Sequence, residues 1–270
     1  MTRQPQTVRG ARRPPGPSES GRPADARGRR TGPAAGLLGL ASFAVGSLIA
    51  GLPRPGSPTG LVLAHLTTSR SAVLGGTLLM FLSLPFLLAF LGYFVGLLAR
   101  AEGSRPLAAA WTAGAWLMLF AVIAAGTIPL AAIAWHSSAA APPPTLVRLA
   151  FDIYSLSLYA LSAPIAAASV LAPSVVIWRT RLLPRWLVWL GLLEVGSNII
   201  ELAGMSATKG ADAAGYAAGI GPLAWIIWAA AISGAALAAR PAPSAFIGAA
   251  GVRWPDGQAS KPTSPREETA

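Results

Sequence analysis

Three polar side chains recur at helical spacing inside one apolar stretch of this chain. Glu194, Asn198 and Glu201 stand at positions i, i+4 and i+7 of the segment 186–204. A helix places them within a stripe about 60° wide. A carboxyl group in such a segment is costly, and desolvation favours its uncharged form. Two uses suit this pattern: proton exchange during transport, and hydrogen bonding between neighbouring helices.

Depth and cost favour proton exchange at Glu194. Counted from Trp186, Glu194 lies about 12 Å along the helix axis and Glu201 about 22 Å. The first is therefore near the middle of the bilayer, and the second is closer to water. A central acidic residue costs about 3 kcal/mol on insertion scales, whereas a polar contact between membrane helices averages about 0.6 kcal/mol. Structural contacts alone do not offset that cost for Glu194.

The preceding apolar segment carries a second polar stripe, at i, i+3, i+7 and i+10. Its members are Asp152, Ser155, Tyr159 and Ser162. Their hydroxyl groups suit a cation or a polar substrate. Arg148 stands one turn before Asp152, and Asp152 is expected at the height of Glu201. We therefore expect Arg148, Asp152 and Glu201 to cluster between the two helices.

Apolar segments that cross a membrane must position these residues. The 270 residues are 53% hydrophobic and only 11% charged, whereas soluble domains carry about 25% charged residues. A span needs about 20 residues to cross about 30 Å of hydrocarbon. Six segments suffice, at approximately 35–52, 73–99, 107–134, 147–178, 186–204 and 215–239. The sequence predicts an all-α, polytopic bundle of six transmembrane helices.

The tails and loops predict the orientation. Residues 1–34, with eight arginines, and residues 241–270 are rich in Pro, Gly and Ser, so we expect disordered cytoplasmic tails. An even number of spans then leaves 17 of the 21 basic residues inside, as the positive-inside rule requires. We predict a multi-pass protein of a bacterial inner membrane with both termini cytoplasmic and the lipid bilayer as its partner. The net charge of +11 forms no basic helix with interleaved aromatics, which argues against nucleic acid.

Two histidines and the absence of enzyme motifs bear on whether the protein binds a cofactor or catalyses a reaction. His65 and His136 fall on the outer side and are weak candidates for haem or metal ligands, because no further ligand pattern surrounds them. The chain has no cysteine, which excludes thiolate sites. Walker A, H-E-x-x-H, G-x-S-x-G and dinucleotide motifs are absent. We expect no cofactor and no metal, and a protein that is not an enzyme, although a scattered intramembrane hydrolase site stays open.

Two small-xxx-small pairs predict close helix contacts. They are Gly92 with Gly96 in the second segment and Gly215 with Gly219 at the start of the sixth. Such pairs arise by chance in a chain this rich in Gly and Ala, so they leave the oligomeric state open.

One motif resembles a known group of proteins. The run Leu183-Pro-Arg-Trp-Leu-Val-Trp-Leu-Gly191, after a short Arg-x-Arg loop, and the run 84–88, Leu-Pro-Phe-Leu-Leu, resemble small six-span actinobacterial membrane proteins of unknown function. The resemblance covers residues 35–240. It implies the same topology and no activity.

Three functions fit these patterns. The first is a small transporter or proton-coupled permease that uses Glu194, Asn198, Glu201 and Asp152. The second is a non-catalytic membrane subunit or scaffold that binds a partner protein. The third is a haem-bearing membrane protein.

Overall fold

A computed structural model describes residues 24–137, 142–207 and 219–239, with only the backbone for residues 24–29 and 205–207. Every regular element in these residues is helical. The predicted transmembrane bundle is confirmed, because six helices are long and apolar enough to cross a membrane. The spans are Arg30–Ala50, Arg70–Glu102, Leu107–His136, Pro144–Thr180, Trp186–Gly204 and Ile220–Ala238.

Eight α-helices and one π-helical turn make up the described chain. They are α1 (Ala24–Ala50), α2 (Thr59–Thr68), α3 (Arg70–Glu102), α4 (Leu107–His136), α5 (Pro144–Ser155), the π-helical turn (Leu156–Leu161), α6 (Ser162–Thr180), α7 (Trp186–Ala207) and α8 (Ile220–Ala238). The fourth span therefore consists of α5, the π-helical turn and α6 in one continuous helix.

The helix bounds differ from the predicted spans chiefly at the start of the first helix. Residues 24–34 were predicted to be disordered, but α1 begins at Ala24. Alanine and arginine are strong helix formers, so a helix continues beyond the apolar core of the span. Residues 1–23 and 240–270, which hold the rest of the predicted tails, lie outside the described residues. The remaining described ends fall within about one turn of the predicted ones, except the start of α8.

The six spans form a closed ring in chain order. Each span packs against the next one, from α1 and α3 through α4, α6 and α7 to α8, and α8 returns to pack against α1. The fourth span also contacts α3 and α8, and half of its most apolar window is buried, against 33% for the first three spans. The fourth span therefore lies closest to the centre of the bundle.

Consecutive spans alternate in direction, which defines two sides. We call the side where α1 begins the near side; it holds the loops 103–106 and 181–185. The far side holds residues 51–58, α2, the end of α4 and the start of α5. On the far side, α2 buries Val62 and Leu66 in an apolar cluster with α3, α4 and α5. This helix was not predicted inside the loop 53–72.

The close helix contacts lie elsewhere than predicted. A Cβ added at Gly92 would meet nothing within 4 Å, and one at Gly96 would meet only the side chain of Arg100. Helices α1 and α3 instead approach closely at Gly46, where an added Cβ would lie 2.7 Å from the Gly76 carbonyl oxygen. The prediction for Gly92 and Gly96 was wrong because spacing does not reveal which helix face meets a neighbour. Gly215 lies outside the described residues.

Candidate functional site

The polar face of α7 points into the bundle, as its spacing predicts. Glu194 and Glu201 are 0% exposed, and Asn198 is 2% exposed. By contrast, apolar residues on the opposite face of the same helix are largely exposed; Ile199 and Ile200 are examples. The sequence therefore buries two carboxyl groups and an amide while it presents isoleucine to the lipid.

Glu194 and Asn198 form a pair along one face of α7. The Asn198 Nδ2 donates to the Glu194 Oε1 at 2.6 Å and to the Glu194 carbonyl oxygen at 3.0 Å. The Glu194 Oε2 is buried and has no hydrogen-bond partner among the described residues. No basic side chain among the described residues forms an ion pair with Glu194. A buried carboxylate with an unbonded oxygen and no counter-ion is costly.

Glu201 has a different environment, because its carboxylate caps the sixth span. Its Oε1 accepts from the Gly219 N–H at 3.3 Å and its Oε2 accepts from the Gly221 N–H at 3.1 Å. The first N–H groups of a helix lack partners within the helix and carry the positive end of its dipole. A negative charge is therefore favourable here, and Glu201 joins the end of α7 to the start of α8.

Glycine at position 221 permits this cap. A Cβ there would lie 2.6 Å from the Asn198 Oδ1 and would also overlap the Glu201 carboxylate. Gly219 adopts a φ of 106°, in the region that favours glycine. The two glycines thus let the start of α8 approach both polar residues of α7.

Arg148 and Asp152 form an ion pair at the far side rather than a cluster with Glu201. The Arg148 Nη2 lies 2.8 Å from the Asp152 Oδ1, and its Nε donates to the Oδ2 at 3.0 Å. The Arg148 Nη1 donates to the Ser57 carbonyl oxygen at 3.1 Å. Both side chains remain about 40% exposed. The predicted cluster of Arg148, Asp152 and Glu201 therefore does not form. The Glu201 oxygens accept hydrogen bonds from backbone N–H groups, and among the described residues Arg148 donates none to Glu201.

The π-helical turn interrupts the polar stripe of the fourth span. Residues 156–161 take up an extra residue per turn, so the regular spacing that relates Asp152 to Ser162 no longer holds. Ser155 Oγ is buried without a partner among the described residues, and the Ser162 Oγ donates to the Leu158 carbonyl oxygen. Tyr159 packs edge-on against Tyr154, with ring centroids 6.4 Å apart. The stripe is thus a set of separate local contacts.

A cavity of about 50 Å³ lies at the centre of the ring. All six spans contribute to its lining, and most of the lining is apolar. One representative from each span, in chain order, is Phe43, Met80, Thr127, Ser162, Asn198 and Trp225. The Asn198 Oδ1 accepts no hydrogen bond from the described residues. Asn198 therefore contacts the cavity on one side and Glu194 on the other.

An aromatic cluster closes the near side of this cavity. Trp116 of α4 and Trp225 of α8 approach across the ring, with centroids 4.8 Å apart. Phe90, Phe94 and Trp228 pack around them. The far-side cluster of α2, α3, α4 and α5 lies at the opposite end. The cavity therefore lies between two apolar clusters along the bundle axis.

The two histidines do not form a ligand set. The His65 Nε2 donates to the Ala50 carbonyl oxygen at 2.9 Å and so caps the end of α1. His136 is exposed at the end of α4. Within the described ranges, no group of three or more His, Cys, Asp or Glu residues could hold a metal ion. The geometry thus gives His65 a structural contact and lends the haem hypothesis no support.

Two functional features were not predicted. The first is the cavity with its aromatic boundary, which depends on the contact between Trp116 and Trp225. No local sequence pattern indicates that these two residues are in contact. Glu102 also caps a helix, because its Oε1 and Oε2 accept from the N–H groups of Ala108 and Ala109 at 2.9 and 2.8 Å. An acidic residue shortly before a helix start is the signal that could have identified this cap.

The fold and the site define an integral membrane protein with six apolar helices. Comparison with family models, with curated proteins and with solved structures finds no match to the chain. The resemblance to six-span actinobacterial proteins therefore stays a prediction.

Proposed function

We propose that this protein is a proton-coupled carrier that moves a small, mainly apolar molecule across a membrane. The observation that carries the proposal is the buried Glu194 carboxyl. Its Oε2 lacks a partner in the described chain, and its Oε1 is bonded to Asn198, which lines a cavity shared by all six spans. A structural glutamate would have both oxygens bonded, as Glu201 does. An intramembrane carboxyl without such bonds is typical of a proton-exchange site.

Asn198 supplies the coupling between cavity and carboxyl. Its Nδ2 holds the Glu194 Oε1, and its side chain lines the cavity. A molecule that bonds to Asn198 changes the hydrogen bond that Asn198 makes to Glu194. Loss of that bond favours the neutral acid, whereas its return favours release of the proton. Substrate occupancy and proton uptake at Glu194 are thereby linked.

The two apolar clusters supply the barriers that a carrier needs. The contact between Trp116 and Trp225 separates the cavity from the near side, and the cluster around α2 separates it from the far side. The carrier exposes the cavity to one side at a time by separating one cluster. The cavity of about 50 Å³ and its apolar lining fit a small molecule with one polar group.

The test is a flux assay with purified protein in vesicles that contain a pH-sensitive dye. Small probes such as methanol, ethanol and other short alcohols are added under an imposed pH gradient. We expect at least one probe to drive proton movement, and Glu194→Gln to abolish it. Glu201→Gln is the matched control, since it replaces an equally buried carboxyl group on the same helix face. Equal flux in Glu194→Gln and the native protein would overturn the proposal.

We also propose a bacterial inner membrane with both termini in the cytoplasm. The support is the distribution of basic residues, with 17 of 21 on the side of the two tails. A reporter fused after Lys209 is then external. Cytoplasmic activity of that reporter would contradict this orientation.

A second candidate is a membrane subunit that binds a partner protein. The cap that Glu201 places on α8 favours it, because it gives one buried carboxylate a purely structural use. This function predicts a protein that co-purifies in mild detergent, and a Glu194→Gln variant that changes assembly but no flux.

A further inference from the structure

The loop between the fourth and fifth spans is a compact, ordered hairpin rich in arginine. We define the arginine hairpin as residues 179–185. The Arg181 N–H donates to the Ile177 carbonyl oxygen at 3.0 Å, and the Leu182 N–H donates to the Thr180 Oγ1 at 3.3 Å. Leu183 is 5% exposed and anchors the hairpin in the bundle core. The backbone is thus fixed by its own contacts.

Among the described residues, the guanidinium groups of this hairpin have no anionic partner. Arg179, Arg181 and Arg185 are exposed, and none forms an ion pair with a carboxylate in the part of the chain that the structure describes. The basic residues of the far side behave differently, since Arg70 donates to the Ala134 and Trp135 carbonyl oxygens and Arg148 binds Asp152. The near-side charges are therefore available for a ligand.

Tryptophan residues beside the arginines indicate the depth of the hairpin relative to the membrane. The Arg185 guanidinium carbon lies 5.0 Å from the centre of the Trp178 ring, which in turn packs edge-on against Trp189 at 6.2 Å. Trp178, Trp186 and Trp189 are 46%, 53% and 63% exposed. Tryptophan at the ends of spans lies at the level of the lipid headgroups. The charges consequently lie where lipid phosphates are.

The hairpin also encloses a shallow open depression. Its lining runs from Arg181 to Arg185, so a basic side chain flanks each end. The first turn of α7 begins at Trp186, directly beside it. The dipole of that helix end adds further positive character.

We propose that the arginine hairpin binds the phosphate headgroup of an anionic phospholipid. The guanidinium groups of Arg181 and Arg185 pair with the phosphate, since arginine offers several donors to one anion. The acyl chains lie against the exposed tryptophan rings. This site is separate from Glu194 and stands whether or not the protein is a carrier.

Purified full-length protein in mild detergent tests the proposal. Native mass spectrometry measures binding of short-chain phosphatidylglycerol, phosphatidylcholine and inorganic phosphate. The hairpin variant carries Arg181→Gln and Arg185→Gln. The control variant carries Arg100→Gln and Arg105→Gln, which removes two exposed arginines on the near side, one in the last turn of α3 and one in the loop 103–106. We expect phosphatidylglycerol affinity to fall about thirtyfold in the hairpin variant, since each basic residue contributes about 1 kcal/mol at a membrane surface, and to stay unchanged in the control.

Other results overturn the proposal. An equal loss in both variants would show a response to total charge, and equal affinity for phosphatidylcholine would show that the anion is not recognised. Binding of inorganic phosphate as tight as that of the lipid would identify a free-phosphate site. Trp178→Leu keeps every charge and is expected to weaken lipid binding about two- to fivefold through loss of the cation–π contact. No effect of this variant would contradict the proposed role of the ring.

Discussion

The Asn198 Nδ2 donates to the Glu194 Oε1 at 2.6 Å, while the Oε2 of the same carboxyl has no partner in the described chain. The two oxygens of one buried group are therefore unequal. A proton on the Oε2 would remove the charge without disturbing the bond to Asn198. Glu201, seven residues after Glu194, has each oxygen bonded to a backbone N–H group.

This difference predicts opposite protonation states for the two glutamates. Burial with a single neutral donor, on one oxygen only, favours the neutral acid at Glu194, whereas two N–H donors and a helix dipole favour the carboxylate at Glu201. Infrared spectra of the protein in lipid at neutral pH should contain a protonated carboxyl band. The band should vanish in Glu194→Gln and persist in Glu201→Gln. The proton-coupled function would lose its main support if both glutamates proved ionised.

Loss of the Glu201 cap should destabilise the sixth span. Glu201→Ala leaves the N–H groups of Gly219 and Gly221 without acceptors, and removal of a charged acceptor costs about 1 to 3 kcal/mol. Denaturant unfolding in mixed micelles measures this loss, and hydrogen exchange should rise at the start of α8. Glu102→Ala provides a parallel case, because it removes the same kind of cap from α4. Unchanged exchange at the start of α8 would show that the cap contributes nothing.

Gly221→Ala should be destabilising, whereas Gly234→Ala in the same helix should not. A Cβ at position 221 would lie 2.6 Å from the Asn198 Oδ1, but one at position 234 would meet nothing within 4 Å. Overpacking typically costs about 1 to 3 kcal/mol, and alanine is favoured over glycine in a helix by about 1 kcal/mol. Unfolding of the two variants measures the contrast. Similar stabilities would mean that α8 can shift away from α7 at little cost.

Asp152→Asn should have little effect on stability and none on flux. The ion pair with Arg148 is about 40% exposed on both sides, and such pairs contribute about 1 kcal/mol or less. Asparagine keeps an oxygen that can still accept from Arg148. Unfolding and the vesicle flux assay measure the two effects. A loss of flux as large as that of Glu194→Gln would show that Asp152 takes part in transport.

The features that the sequence predicts are those that depend on one segment at a time. Hydropathy locates the spans because each must exceed the thickness of the hydrocarbon. The 3.6-residue period correctly places Glu194, Asn198 and Glu201 on a buried face. Each of these follows from local chemistry alone.

The features that the sequence missed depend on pairs of segments or on a departure from regular geometry. The π-helical turn at residues 156–161 shifts the phase of the fourth span, so a fixed period could not describe its polar stripe. The bond from Glu201 to Gly221 and the contact between Trp116 and Trp225 join helices distant in sequence. Nothing in a single chain without homologues indicates which spans are neighbours in the ring.

The contact between α8 and α1 has a consequence for biosynthesis. The ring closes only when the last span packs against the first, and Pro222, Trp225 and Ile226 of that span form part of the cavity wall. A nascent chain with five inserted spans therefore has an open cleft that lipid tails can fill. Lipid must leave this cleft as α8 arrives, so the interior of the protein is completed by the final insertion step.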